Sequence, residues 1–201
     1  MSYQIKVITD VATEPVTLAE VKAWCRIDDD YVSDDAQLNL LISSARELLE
    51  QETNIGFAPR TLELQWNGCP VEMPYSPTGA ITSVKNKDGD TLTTDEYEVS
   101  TNQAKSIMVK SACGYDGFEF FYHIDQSVSL WSWPVNNLCA DDAYACVYVT
   151  GYEAGKLPKS LKQGILTQID YMFKQQGMPD NSLVSEQALL LAKGYSRNLI
   201  L

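Results

Sequence analysis

Between Leu38 and Leu49 the chain sets the tightest condition on its own fold. Leu38, Leu41, Ile42, Ala45, Leu48 and Leu49 recur at i, i+3, i+4, i+7, i+10 and i+11. That spacing puts apolar side chains on one face of an α-helix. Asp34, Asp35 and Gln37 open the stretch, with negative charge where the helix dipole favours it, and Asn54 and Gly56 close it. A helix of about 20 residues is about 30 Å long, and its apolar face needs a partner. From Thr61 the period changes to two. Leu62, Leu64 and Trp66 alternate with Glu63, Gln65 and Asn67, the pattern of a half-buried strand. Such a chain must combine helices with sheet.

The flanking segments extend this reading. Residues 1–16 are expected to be extended, with Pro15 closing them. Thr17-Leu18-Ala19-Glu20 is a capping box, and Leu18, Val21 and Trp24 follow at helical spacing. They predict a short helix to about Arg26. Asp28-Asp29-Asp30 resembles the start of a calcium loop, but the Gly and distal Glu of an EF-hand are missing at the right offsets. A solvated acidic turn is expected instead. Short strands are expected at Val71–Met73, Ile81–Asn86, Thr91–Ser100, Ser106–Lys110, Gly117–Ile124 and Ala143–Thr150, with Asp88-Gly89 as a hairpin turn. Residues 125–142 read as a long loop whose Trp131 and Trp133 are either tucked under it or exposed.

Helices then return. Pro158 suits a first helical position, and Leu161, Ile165, Leu166, Ile169, Met172 and Phe173 form one apolar face. Gly177-Met178-Pro179 ends that helix. Ser182 or Ser185 caps a last one carrying Leu189, Leu190 and Ala192, with Gly194 weakening its end. The fold class is therefore α+β: a helical bundle formed by the N-terminal and C-terminal helix pairs, with an inserted small antiparallel β-sandwich or barrel. Neither helix pair has enough core to fold alone. Residues 1–201 are expected to form one domain, with N-terminal helices in 1–57, a β insertion in 58–152, and C-terminal helices and a tail in 153–201.

Charge and chemistry narrow the function. The chain carries 15 Lys and Arg against 27 Asp and Glu, a net charge of −12. Its longest basic cluster, Lys156, Lys159 and Lys162, is too sparse to neutralise a nucleic-acid backbone. No apolar run approaches the roughly 18 residues of a membrane span. The start, MSYQIKVITD, lacks the basic-then-apolar order of a signal peptide, so synthesis in a cytoplasm is expected. Five cysteines, at 25, 69, 113, 139 and 146, include no Cys-x-x-Cys pair and are expected to be free thiols. No catalytic, cofactor-binding or metal-ligating set is expected. The single histidine, His123, lies in a strand-like aromatic run and has no evident nucleophile to serve. Asp95-Glu96 and Asp141-Asp142 read as solvated loop carboxylates.

Three segments in order resemble the tailed-bacteriophage head–tail connector family, also called head-completion or adaptor proteins. The first is "PVTLAEVKAWCRID" followed by "DDAQLNLLISSARELLEQETN". The second, "VEMPYSPTGAITSVKNKDGDTLTTDEYEV", is similar to the family's β part at Pro74, Pro77, Val84, the Asp88-Gly89 turn and Tyr97. The third runs from Trp133-Pro134 through "VYVTGY" to "LPKSLKQGILTQIDYMFKQ", and looks like the family's final strand, Gly-Tyr turn and core helix. Together they span roughly residues 15–197. The region 111–142 departs from the pattern, and a loop there could contact capsid, tail or lumen.

The resemblance implies a non-enzymatic virion protein, made in the host bacterial cytoplasm and placed at the head–tail junction. Its implied partners are the portal protein, a downstream neck or tail-completion protein, and further copies of itself in a ring. DNA would pass the lumen without sequence-specific binding, and no membrane is involved. A dozen copies at −12 each would carry on the order of −140, which would let DNA slide without sticking. The resemblance also makes the tail a candidate portal-docking peptide, through Tyr195, Arg197, Leu199, Ile200 and Leu201. Two other readings stay open: a β-rich virion module using Trp131 and Trp133 to bind carbohydrate or protein, and a hydrolase using His123 with a Cys or Asp.

Overall fold

The computed structural model describes residues 3–67, 71–100, 105–109, 143–175 and 183–195. In chain order the elements are β1 (Tyr3–Thr9), α1 (Leu18–Cys25), α2 (Asp35–Thr53), β2 (Arg60–Asn67), β3 (Val71–Glu72), β4 (Thr78–Lys85), β5 (Tyr97–Val99), β6 (Ser106–Val109), β7 (Ala143–Thr150), α3 (Lys159–Lys174) and α4 (Glu186–Lys193). Helices and sheets are thus mixed, as the change of period requires. The strands form a four-stranded sheet of order β1-β2-β7-β4 and a three-stranded sheet of order β3-β6-β5. Within the described residues the expected sandwich or barrel extends only to these two sheets. One edge strand, β1, precedes the first helix in the chain, outside the 58–152 segment expected to hold the β part.

The chain divides into two compact units. One comprises Met1–Lys6, Glu63–Met73 and Ile81–Val147, the other Val7–Leu62, Pro74–Ala80 and Tyr148–Leu201. In the first unit, β6 pairs antiparallel with both β3 and β5, in registers that set Val71 and Val99 opposite Ile107 and Tyr97 opposite Val109. Trp66 and Tyr144 pack as tilted rings with centroids 5.7 Å apart. The Asp88-Gly89 turn forms, with Gly89 at φ 88°. Asn86 holds it, its side-chain oxygen accepting from the N–H groups of Asp88 (3.0 Å) and Asp90 (2.9 Å). The expected strand over Thr91–Ser100 shortens to β5, with one isolated bridge from Lys85 to Thr91. Here Glu96 turns back to accept from the N–H and hydroxyl of Thr93, which closes a turn instead of continuing a ladder.

The second unit contains the four helices found among the described residues. The capping box at Thr17 is complete: its hydroxyl accepts from Glu20 N–H and its own N–H donates to Glu20 Oε2. Arg26 and Asn54, both left-handed, terminate α1 and α2. Contacts link α2 with α1, α3 and α4, and α3 with α1 and α4. The apolar stripe of α2 is buried as its spacing predicts, with Leu38, Ala45 and Leu49 at 0% exposure. Leu161, Ile165 and Ile169 of α3 join the same cluster. Burying each such side chain stabilises the fold by about 1.5–3 kcal/mol.

Two apolar residues of the short helices stand outside the core. Trp24 and Leu190 are exposed, while Val21 and Ala188 take the inward positions. Pro158 is the N-cap of α3, one place ahead of the expected first helical position. Ser185 is the N-cap of α4, but its side chain makes no capping bond. Its N–H instead donates to Gln168 Oε1 (2.8 Å), and Gln168 Nε2 donates to Leu183 O (2.9 Å). A buried glutamine of α3 thus holds the entry to α4. Ser182, the other candidate cap, lies outside the described residues, as do the Gly117–Ile124 strand and the Gly177-Met178-Pro179 stop.

Candidate functional site

The strand-to-helix junction at Thr150-Gly151-Tyr152 is built by backbone crossing. Gly151 has φ 97°, and a Cβ there would lie 2.1 Å from Ala58 O. No L side chain fits that position without moving the 58–59 backbone. Gly151 N–H donates to Pro77 O (3.0 Å), Tyr152 N–H to Gly56 O (3.3 Å), and Gly56 N–H to Ser76 O (2.8 Å). The Thr150 hydroxyl donates to the carbonyls of Tyr75 and Pro77, and Tyr148 OH to Pro74 O. On the other side, Asn54 receives Ser76 N–H on its carbonyl and Tyr75 N–H on its side chain. Residues 54–58, 74–77 and 148–152 therefore form one knot at the end of α2.

A buried ionic network adjoins it. Glu50 is 1% exposed. Its Oε2 lies 3.0 Å from Arg46 Nη1 and 3.0 Å from Arg60 Nη1, and its Oε1 accepts from Phe57 N–H at 2.8 Å. Arg46 also reaches Glu14 through Nε at 2.8 Å, and Arg60 stacks 4.3 Å from the centre of the Tyr75 ring. Burial pushes the Glu50 carboxyl up, against the pull of the two guanidiniums and the Phe57 N–H. Burial also works against the Arg46 charge, but Glu14 and Glu50 outweigh it and hold the guanidinium above its ordinary value. Sequence reading missed this set. The available signal was a charged pair at i, i+4, Arg46 and Glu50, flanking the apolar stripe.

Lys22 is a second buried charge, 4% exposed. Its Nζ donates to Asp29 O (3.1 Å) and Tyr31 O (2.9 Å) and pairs with Asp35 at 2.6 Å. The Asp28–Asp30 turn thus wraps a resident ammonium. Among the described residues no group of three or more His, Cys, Asp or Glu is placed to hold a metal ion. No helix among them is long and apolar enough to cross a membrane. Two of the three lysines in the basic cluster are already paired, Lys156 with Glu153 and Lys162 with Glu20. Cys25 and Cys146 are free thiols, and burial pushes Cys146 up to about 12. Cys69, Cys113 and Cys139 lie outside the described residues.

The surface carries the remaining candidates. Trp24 and Leu190 line one groove with Gln163, Thr167, Asp170, Gln187 and Leu191. Leu190 also lines a second groove, with Glu52, Thr53, Glu186, Leu189 and Lys193. Of the expected docking tail, Tyr195 is exposed just past α4. Arg197, Leu199, Ile200 and Leu201 lie outside the described residues, and so do His123, Trp131, Trp133 and Asp141-Asp142. The described residues thus hold a backbone knot, a buried ionic network and two grooves lined in part by exposed Trp24 and Leu190.

Comparison with known proteins follows the same line. Residues 15–110 match the family model described as "Phage gp6-like head-tail connector protein". No curated protein gives a significant sequence match. Three solved chains share the fold at 13% identity, each aligning over 98% of this chain and 97% of its own. They come from the neck of an empty gene transfer agent (GTA) particle computed with C6 symmetry (TM-score 0.68), the virion of a native GTA particle (0.69), and the neck of a native GTA particle computed with C12 symmetry (0.66). The likeness to the phage head–tail connector family is thus borne out, by the family's own pattern over residues 15–110 and by a shared fold along nearly the whole chain.

Proposed function

We propose that this protein is a structural subunit of a phage or phage-like neck, a connector that completes the head and receives the tail. The observation that carries this reading is the head–tail connector match over residues 15–110. The likeness of fold to chains of GTA particles, two of them described as necks, supports it. The C6 and C12 symmetries of those necks favour a ring. A ring of identical subunits needs head-to-tail contacts, hence two different surfaces on each copy. The role is one of assembly, and no catalysis is assigned to it.

In this reading the knot around Gly151 and the network around Glu50 keep the subunit stiff under load. The ring sits beneath the portal protein, contacts a downstream neck or tail-completion protein, and surrounds DNA without reading its sequence. The tail beginning at Tyr195 docks to the portal, with Arg197 supplying charge and Leu199, Ile200 and Leu201 supplying apolar area. The exposure of Tyr195 is consistent with that role.

The test is quantitative mass spectrometry of purified virions, comparing the copy number of this chain with that of the portal protein. A ratio near one supports a ring matched to the portal. Absence from the virion refutes the neck assignment, and a copy number many times that of the portal refutes the ring.

A further inference from the structure

We propose that the second groove, along α4 and the end of α2, holds this chain's own residues 196–201 until a partner takes the tail. The inference rests on the docking tail proposed above and adds a place for that tail in the free subunit. The groove has a volume of about 380 Å³ and is lined by Glu52, Thr53, Glu186, Leu189, Leu190 and Lys193. Four of these, at 186, 189, 190 and 193, make a single stripe of α4 by their i, i+3, i+4, i+7 spacing. Leu190 is 67% exposed at its centre. Glu52 and Glu186 form no salt bridge to a described residue, and among the described lining residues Lys193 alone is positive.

The sequence that follows α4 complements this surface. Arg197 matches the two carboxylates, and Leu199, Ile200 and Leu201 match the leucine stripe. Reach is sufficient. Six extended residues cover about 20 Å, whereas the stripe from Glu186 to Lys193 rises about 10 Å. A segment tethered at Tyr195 faces the groove at an effective concentration on the order of millimolar, which favours the chain's own tail over that of another copy. One contact then covers two apolar surfaces that would otherwise promote association.

The experiment is methyl NMR on the full chain with labelled leucine, comparing the natural sequence with the variant L199S/I200S/L201S. The probe is a synthetic peptide of residues 195–201. The expected result is a shift of the Leu189 and Leu190 methyl signals in the variant, which added peptide reverses, while the natural chain is unmoved by peptide. Glu52→Lys with Glu186→Lys, both exposed positions, should weaken peptide binding by about tenfold or more, and Arg197→Glu in the peptide should restore it. Unchanged Leu189 and Leu190 signals in the variant overturn the proposal. Equal response of both chains to peptide overturns it too, because the groove is then empty in the full chain. Signals that change on tenfold dilution assign the tail to a second copy and overturn the intrachain form. None of these outcomes depends on virion copy number, so the neck assignment stands or falls separately.

Discussion

Replacing Glu50 tests the claim that the end of α2 is held by buried charge. The Glu50 side chain is 2% exposed, against 3% for Arg46 and 9% for Arg60. In Glu50→Gln the shape is kept, and the amide oxygen can still accept from Phe57 N–H. What is lost is the negative charge between two guanidiniums that are themselves out of water. Breaking a buried pair by neutralising one partner costs about 3–5 kcal/mol, because the cation left behind is uncompensated. Arg46 retains Glu14 at 2.8 Å, while among the described residues Arg60 retains the Tyr75 ring at 4.3 Å. The lower part of that range is therefore expected, about 3 kcal/mol. Glu50→Ala also strands the Phe57 N–H, which adds about 1–3 kcal/mol. For a chain of this size, 3 kcal/mol lowers the melting temperature by about 6–12 °C. The assay is urea unfolding followed by circular dichroism at the helical band, with Lys174→Ala as a control. Lys174 pairs with Asp170 at 2.7 Å but is 70% exposed, so its loss should cost under about 1 kcal/mol. A Glu50→Gln effect no larger than the Lys174→Ala effect would refute the reasoning.

Gly151→Ala and Gly155→Ala separate conformation from collision. Both glycines have positive φ, but a Cβ meets Ala58 O at Gly151 and nothing within 4 Å at Gly155. Gly155→Ala should cost about 1–2 kcal/mol and Gly151→Ala clearly more; equal losses in thermal unfolding would count against the backbone crossing. Thr17→Ala removes the hydroxyl of the capping box and should cost about 1 kcal/mol in the same assay. The Lys162 hydrogen bond, followed by that of Thr17 N–H, holds the Glu20 carboxyl below its ordinary value of 4.5. Its contribution is then fully present above that value and disappears as pH falls through the lower folded value. Natural protein should exceed Glu20→Gln in stability at neutral pH and lose that margin in acid. A margin that persists at low pH would contradict the ion pair.

How much could be read in advance varies from element to element. The stripe of α2 was legible because 19 residues repeat the helical period enough times to fix which face is apolar. In α1 and α4, eight residues each, two or three apolar side chains fit more than one face. Helical spacing alone therefore did not show that Trp24 and Leu190 stand in solvent, where Leu190 lines both grooves and Trp24 one of them. Strand β2 was legible from strict alternation of apolar and polar residues, whereas β7 is a nearly continuous apolar run whose alternate burial shows only in the structure. The membership of β1 in their sheet was not legible, since pairing of residues 3–9 with a strand beginning at 60 leaves no local mark. The tail was singled out through family resemblance, and its tip lies beyond the described residues.

The sequence by itself determined the α+β class, the capping box, the Asp-Gly turn and the connector resemblance, because each is written in neighbouring residues or in a repeat of short period. Tertiary structure alone decided that Arg46, Glu50, Arg60 and Tyr75 meet, that Lys22 fills the Asp28–Asp30 turn, and that Gly151 lies against the carbonyl of Ala58. The charged contacts bring together groups whose burial is unfavourable until each has its partner, and the glycine contact depends on two distant backbone segments arriving at one point. No single segment encodes such a meeting, since it exists only once the chain has closed around it.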